Sequence, residues 1–326
     1  MSDPAVRLGV LLPTREHAED GRARDVVAVA AAAERAGADS VWVGDSLFAR
    51  PRLDPLTLLA AVATATSTAT LGTAVLVAPQ WNPLLLARAA ATVDVLSGGR
   101  LVLGLGPGPD YGPARKEFAA LGVPHRDRMG RLAEVVEVCR ALWGRGPVGV
   151  DGRRWSFRNV DLHPKPAAPG GPPVWWGVRG PRGLALAGGR GDGWLPTGRG
   201  PDHYAEGLAA VHAAATGPVA AAVYLTVAVD DDADAAVDRM RESQTAYYRA
   251  PWPAVRELED HCAGTAETVA AHVAAYVRAG AEHVVLRFAG GDPVAQFARL
   301  RAAVRRDAAR RSFRSGRFVG GVPLES

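Results

Sequence analysis

The chain has 326 residues, 48% of them hydrophobic and 22% charged, with a formal net charge of +4. This supports one large core or two average ones, and no apolar run reaches the ~18 residues of a membrane span. Of the 38 basic residues only Lys116 and Lys165 are lysine, and the arginines are dispersed except at 305–317, so the positive balance reads as GC-rich codon usage rather than a nucleic-acid surface.

In chain order, residues 6–12 form an apolar strand stopped by Pro13, followed by a polar loop at 14–21. Residues 25–36 form an Ala-rich helix closed by Gly37, and Ser-Val-Trp-Val at 40–43 is a second strand ending in Gly44-Asp45-Ser46. Asp54-Pro55 and Asn82-Pro83 each pair a capping side chain with a first-turn proline and open helices to about 66 and 96. Between them, 70–77 is the third strand, and 100–105 is the fourth. Both are apolar on both faces, as in parallel sheets covered by helices.

A Gly/Pro-rich loop is expected at 106–126, then a helix at 129–143 and a small hairpin around Asp151-Gly152. Strands at 173–177, 193–195, 219–229 and 283–287 complete eight, with helices at 181–187, 202–215, about 233–248, 265–280 and 293–306. Eight strand–helix units favour a closed (β/α)8 barrel over an open doubly wound sheet. The Gly104–Gly108 run fits a dinucleotide fingerprint poorly, because no helix is expected directly after it. We expect one domain over 1–312, with an excursion at 144–171, an extra helical segment at 230–282 and an irregular tail at 313–326.

Cys139 and Cys262 form no CxxC pair, and the histidines show no ligand spacing, so no metal site is expected. The N-terminal residues lack a secretion signal, which with the sparse cysteines points to a reduced cytoplasmic setting.

Several segments carry a resemblance: A-G-A-D-S-V-W-V-G-D (36–45), D-P-L-T-L-L-A-A (54–61), L-G-T-A-V-L-V-A-P-Q-W-N-P (71–83) and V-L-S-G-G-R-L-V-L-G-L-G (95–106). E-F-A-A-L-G-V-P (117–124), G-R-G-D-G-W-L-P (189–196), G-T-A-E-T-V (264–269) and Y-V-R-A-G-A-E-H-V-V-L-R (276–287) continue it. The chain resembles the bacterial luciferase-like flavin-dependent oxidoreductases, which implies a (β/α)8 TIM barrel with insertions and a homodimer. The run V-W-W-G-V-R-G-P-R-G-L-A-L-A-G (174–188) is similar to the branch that uses the deazaflavin coenzyme F420. FMN is the alternative cofactor, with O2 activated as a flavin peroxide.

The resemblance implies cofactor contacts at Asp45, Ser46, Gly106, Gly108, Trp176 and Gly177. It also implies a non-proline cis peptide at Ala74-Val75. Val178, Arg179, Gly180, Pro181 and Arg182 enter a helix whose free N–H groups suit a phosphate. Ser46 stands where the family's deazaflavin dehydrogenases have a catalytic histidine, and Pro109 where they have a glutamate. Asp110, Tyr111 and His125, in the loop after the fourth strand, are the remaining candidates for proton transfer. Thr14, Trp81 and Arg287 fall at rim positions suited to a small-molecule substrate. The expected function is hydride transfer with F420. The alternatives are an FMN monooxygenase and a catalytically silent flavin-binding barrel.

Overall fold

The computed structural model describes residues 6–19 and 21–316, with side chains of the last helix described through 307. Strands β1 (Arg7–Leu11), β2 (Ser40–Val43) and β3 (Thr70–Thr73) are parallel neighbours, and β4 (Leu76–Val77) continues β3 beyond Ala74-Val75. β5 (Leu101–Gly106) pairs with both β3 and β4. The antiparallel hairpin β6 (Val148–Asp151) and β7 (Ser156–Val160) stands apart from this sheet, at the expected excursion. β8 (Val174–Trp176) and β9 (Gly193–Trp194) follow. β10 (Ala220–Val229) pairs with β9 on one edge and with β12 (His283–Phe288) on the other. Because β12 also pairs with β1, the ring closes as an eight-stranded parallel barrel. The expected eight strands are its staves, with the third divided in two.

Helices cover the outside: α1 (Thr14–Glu19), α2 (Asp25–Arg35), α3 (Pro55–Ala65), α4 (Pro83–Ser97), α5 (Gly112–Ala120) and α6 (Arg128–Trp143). The second half carries α7 (Gly180–Arg190), α8 (Pro201–Ala214), α9 (Ala233–Tyr248), α10 (Trp252–Val255), α11 (Ala266–Arg278) and α12 (Pro293–Gly316). The capping signals act as expected: Asp54 accepts from the Thr57 N–H at 2.8 Å and Asn82 from the Leu84 N–H at 2.9 Å.

Four local expectations are corrected. Residues 14–19 are helical rather than loop. The loop expected at 106–126 contains α5, where Pro113 in the first turn pre-sets the helical angle and Ala, Arg, Lys and Glu continue it. α12 runs ten residues past the expected end near 306, into the supposed tail, through an Ala/Arg stretch of strong helix formers. A further strand, β11 (His261–Gly264), pairs with the C-terminal half of β10. Residues 317–326 of the tail, and the side chains of most of the 305–317 arginine cluster, lie outside the described residues.

The main apolar layer lies between strands and helices, with Val41, Leu59, Leu71, Leu101, Trp176 and Leu286 among its buried members. A smaller cluster fills the barrel interior around Trp42, Trp175 and Val285. Trp42 fits inside because both neighbouring strands offer glycine: a β-carbon on Gly72 would lie 2.2 Å from its ring, and one on Gly9 would lie 2.6 Å from it. Trp42 donates to Ser40 Oγ at 2.6 Å, which meets His283 Nε2 at 2.7 Å. Burial pushes the His283 imidazole down to about 3, so it is neutral in this apolar setting.

Candidate active site

The C-terminal ends of the strands surround a cleft of about 770 Å³. In a closed parallel barrel this rim is where loops of different strands converge. One wall is the β3–β4 junction, where the Ala74-Val75 peptide is cis. Ala74, Val75 and Val77 face the cleft beside Gly44 and Asp45 from the end of β2. Asp45 Oδ2 accepts from the Val77 N–H at 2.9 Å, tying the two strand ends together. Burial lifts the Asp45 carboxyl above its ordinary value, against the opposing pull of Val77 and Trp81.

Opposite this wall, Gly177, Val178, Arg179, Gly180, Pro181, Arg182 and Gly183 line the cleft where β8 passes into α7. The residue preceding α7, Arg179, gives no side-chain cap, so the first-turn N–H groups of the helix have no side-chain acceptor. Arg179 and Arg182 thus stand beside a helix N-terminus without a side-chain cap, an arrangement of the kind that suits an anion. Burial holds the Arg179 guanidinium below its usual value, assisted by nearby Arg199 and opposed by Glu259.

The third side comes from β10 and the segment between β10 and β12. Tyr224, Tyr247, Tyr248 and Glu259 line the cleft there. Arg287 on β12 is buried behind them, with its guanidinium 3.5 Å from the Tyr247 ring centre, donating to Gln244 Oε1 and, at 3.2 Å, to Glu16 Oε1. Arg52 also lines the cleft and donates to Thr14 Oγ1 at 2.9 Å and to the Tyr247 hydroxyl. Thr14 and Arg287 thus stand behind the lining residues rather than in it.

Other expected site residues are placed as follows. Gly108 and Asp110 line the cleft, whereas Gly106 lies beneath Val75. Trp176 is fully buried in the layer between barrel and helices, because its neighbour Trp175 takes the inward direction in the strand alternation. Trp81 hydrogen-bonds Asp45 from the edge of the core. Ser46 turns away from the cleft and donates to Glu117 Oε1 at 2.9 Å. Asp110 is exposed and sits 2.6 Å from Arg115, 3.7 Å from Arg128 and 3.8 Å from His125. The Arg115 hydrogen bond and charge hold its carboxyl below the ordinary range. His125 meets the Pro109 carbonyl at 3.2 Å, and the Tyr111 ring lies 5.6 Å from the Arg50 guanidinium.

Sequence reasoning overlooked Glu117, Glu259, Arg52 and the Tyr247-Tyr248 pair. Glu117, on α5, accepts from the Phe48 N–H at 2.7 Å, the Ala49 N–H at 2.6 Å and Gln80 at 3.1 Å, and so anchors the loop after β2. It lies inside the recognised segment 117–124, which was a usable signal. Glu259 lies in an irregular stretch without period, and an aromatic pair ending a helix before Pro251 was the only hint. Among the described residues no group of three or more His, Cys, Asp or Glu side chains could hold a metal.

The site is thus a rim cleft of a closed (β/α)8 barrel, lined by the start of α7 and by three tyrosines. Residues 6–283 match the luciferase-like monooxygenase model, and the chain belongs to that family. It is 35% identical to an F420-dependent glucose-6-phosphate dehydrogenase of Mycolicibacterium smegmatis over 72% of this chain and 68% of that protein. It is 34% identical to an F420-dependent hydroxymycolic acid dehydrogenase of Mycobacterium tuberculosis, over 60% of this chain and 54% of that one. Among solved structures, an F420-dependent secondary alcohol dehydrogenase superposes with a TM-score of 0.77 at 22% identity, covering 92% of this chain and 99% of that one. Monooxygenase RslO1 from Streptomyces bottropensis superposes with a TM-score of 0.79 at 20% identity, covering 92% and 99%. These two likenesses concern the fold.

Proposed function

We propose that this chain is an oxidoreductase that binds the deazaflavin coenzyme F420 in the rim cleft and exchanges a hydride with a small organic substrate. The observation that carries the reading is the anion site at the start of α7, placed across the cleft from the Ala74-Val75 wall. A long cofactor with a phosphate at one end and a flat ring at the other fits that pairing. The curated relatives named above, at 34–35% identity, are F420-dependent dehydrogenases, which favours deazaflavin over FMN.

When bound, the coenzyme supplies the carbon that takes or gives the hydride. The protein's residues do the rest. Arg179, Arg182 and the first-turn N–H groups of α7 would hold the phosphate. Val75 would shape the surface offered to the ring, while Asp45, which holds the ends of β2 and β4 together, would contact it. Tyr224, Tyr247 and Tyr248 narrow the opposite side and keep water from the substrate. Asp110 is a weak choice for proton transfer, since it is exposed and neutralised by Arg115. A homodimer in the cytoplasm completes the proposal, and light scattering of the purified protein tests the dimer.

Titration of the protein with F420 and separately with FMN, followed by tryptophan emission, tests the cofactor. Saturable quenching by F420 alone is expected. Saturation by FMN alone replaces this reading with the monooxygenase, and saturation by neither leaves a catalytically silent barrel.

A further inference from the structure

The carboxylate of Glu259 is only 6% exposed, yet it lines the cleft. Its hydrogen bonds are one-sided. Oε1 accepts from the Tyr248 hydroxyl at 3.0 Å, Gln244 Nε2 at 3.0 Å and Thr226 Oγ1 at 3.3 Å, and lies 3.4 Å from His261 Nε2. Oε2 takes no hydrogen bond from any of these groups. These donors all gather on one oxygen, which leaves the other open to a donor entering the cleft. Burial raises the carboxyl, but His261, Arg287 and Tyr248 together outweigh it and hold Glu259 ionised at neutral pH.

Two cations stand near this wall: Arg179, which also lines the cleft and interacts electrostatically with Glu259, and Arg287. Arg287 faces Tyr247 and donates to Gln244 and Glu16, so it is already engaged on the far side of the network. An anion brought to Oε2 itself would face an ionised carboxylate, so Arg179 draws anions toward the start of α7. A neutral group with an O–H would instead meet a charge-assisted acceptor.

Given that the cleft holds a cofactor and a substrate side by side, as proposed above, we infer that Glu259 Oε2 is the substrate's hydrogen-bond acceptor and selects a neutral hydroxyl compound over its carboxylate or phosphate counterpart. The segment between β10 and β12 thereby sets specificity.

The test uses two probes with one ring, cyclohexylmethanol and cyclohexanecarboxylate. Their binding to the full-length protein with F420 present is read by ligand-observed NMR, alongside the F420 titration. The wild type should bind the alcohol tenfold to hundredfold more tightly, roughly the span of a charge-assisted hydrogen bond. Glu259→Gln should abolish that preference while leaving the dissociation constant for F420 unchanged. A wild-type protein that binds the carboxylate as well as the alcohol, or neither probe, overturns the inference. So does a folded Glu259→Gln protein that keeps the preference. The wild-type comparison stands even if that variant fails to fold. F420 that does not bind while the alcohol preference persists refutes the cofactor reading alone. F420 that binds without any preference refutes this inference alone.

Discussion

Val75 and Gly177 share one space: a β-carbon on Gly177 would stand 2.6 Å from Val75 Cγ1. Gly106 flanks the same side chain, and its β-carbon would stand 2.6 Å from Val75 Cγ2. This wall of the cleft is therefore shaped by a valine fitted between Gly106 on β5 and Gly177 just after β8. Gly177→Ala should push Val75 toward the cofactor, destabilise the fold by about 1–3 kcal/mol as overpacking does, and weaken F420 binding. Thermal melting and the F420 titration check this, and no change in either would show that Val75 yields freely.

Burial opposes the ionisation of Asp45. Its folded pKa is raised, so its contribution to stability is largest at low pH and falls as pH rises from the ordinary value of 3.8 through the raised one. Asp45→Asn should be at least as stable as the wild type at neutral pH, since the amide oxygen still accepts from Val77. It should nonetheless bind F420 about tenfold more weakly, because the carboxylate proposed to contact the ring is replaced by an amide. Urea midpoints at neutral pH together with the F420 dissociation constant decide the matter. Lower stability with unchanged binding would make Asp45 purely structural.

Glu117 shows the opposite titration. Burial raises its carboxyl, but the Ala49 and Phe48 N–H groups, Gln80 and Ser46 outweigh this and hold it below 4.5. The stability it contributes is complete above that value and is lost as pH falls through the depressed folded pKa. Glu117→Gln should lower stability by about 1–3 kcal/mol at neutral pH and flatten the acid limb of a stability profile. An acid limb identical to that of the wild type would show that the loop after β2 is held by other contacts.

Arg182 is exposed at the first turn of α7 and takes part in no ion pair or side-chain hydrogen bond among the described residues. Arg182→Ala should weaken F420 binding by about tenfold and reduce its salt dependence, with inorganic phosphate competing less effectively. Binding that is insensitive to this change would move the phosphate elsewhere.

Asp110 is paired with Arg115 in solvent. Asp110→Asn should leave turnover nearly unchanged once a substrate is found, against the ~100-fold loss expected on removing a general acid or base. Steady-state kinetics distinguish the two, and a large fall in kcat would restore Asp110 as the proton donor.

The barrel was readable from the chain because its signals are local. Strands apolar on both faces, Asp54-Pro55 and Asn82-Pro83 caps, and terminating glycines each act within a few residues of themselves, so all eight staves fall where the residues alone place them. Local density also misled: the glycines and prolines of 106–126 suggested a loop, although Pro113 opens α5. The rim is a different matter. Glu259 becomes a cleft residue only because β11 adds to β10, and its donors come from β10, α9 and β11. Ser46 is drawn from the cleft by Glu117, 71 positions away. Trp175 rather than Trp176 faces inward because the register against β5 and β9 sets the alternation. Propensity and capping are properties of neighbours along the chain, so the chain states them directly. Which side chains share a cavity depends on strand register and long-range hydrogen bonds, which exist only once the barrel has closed.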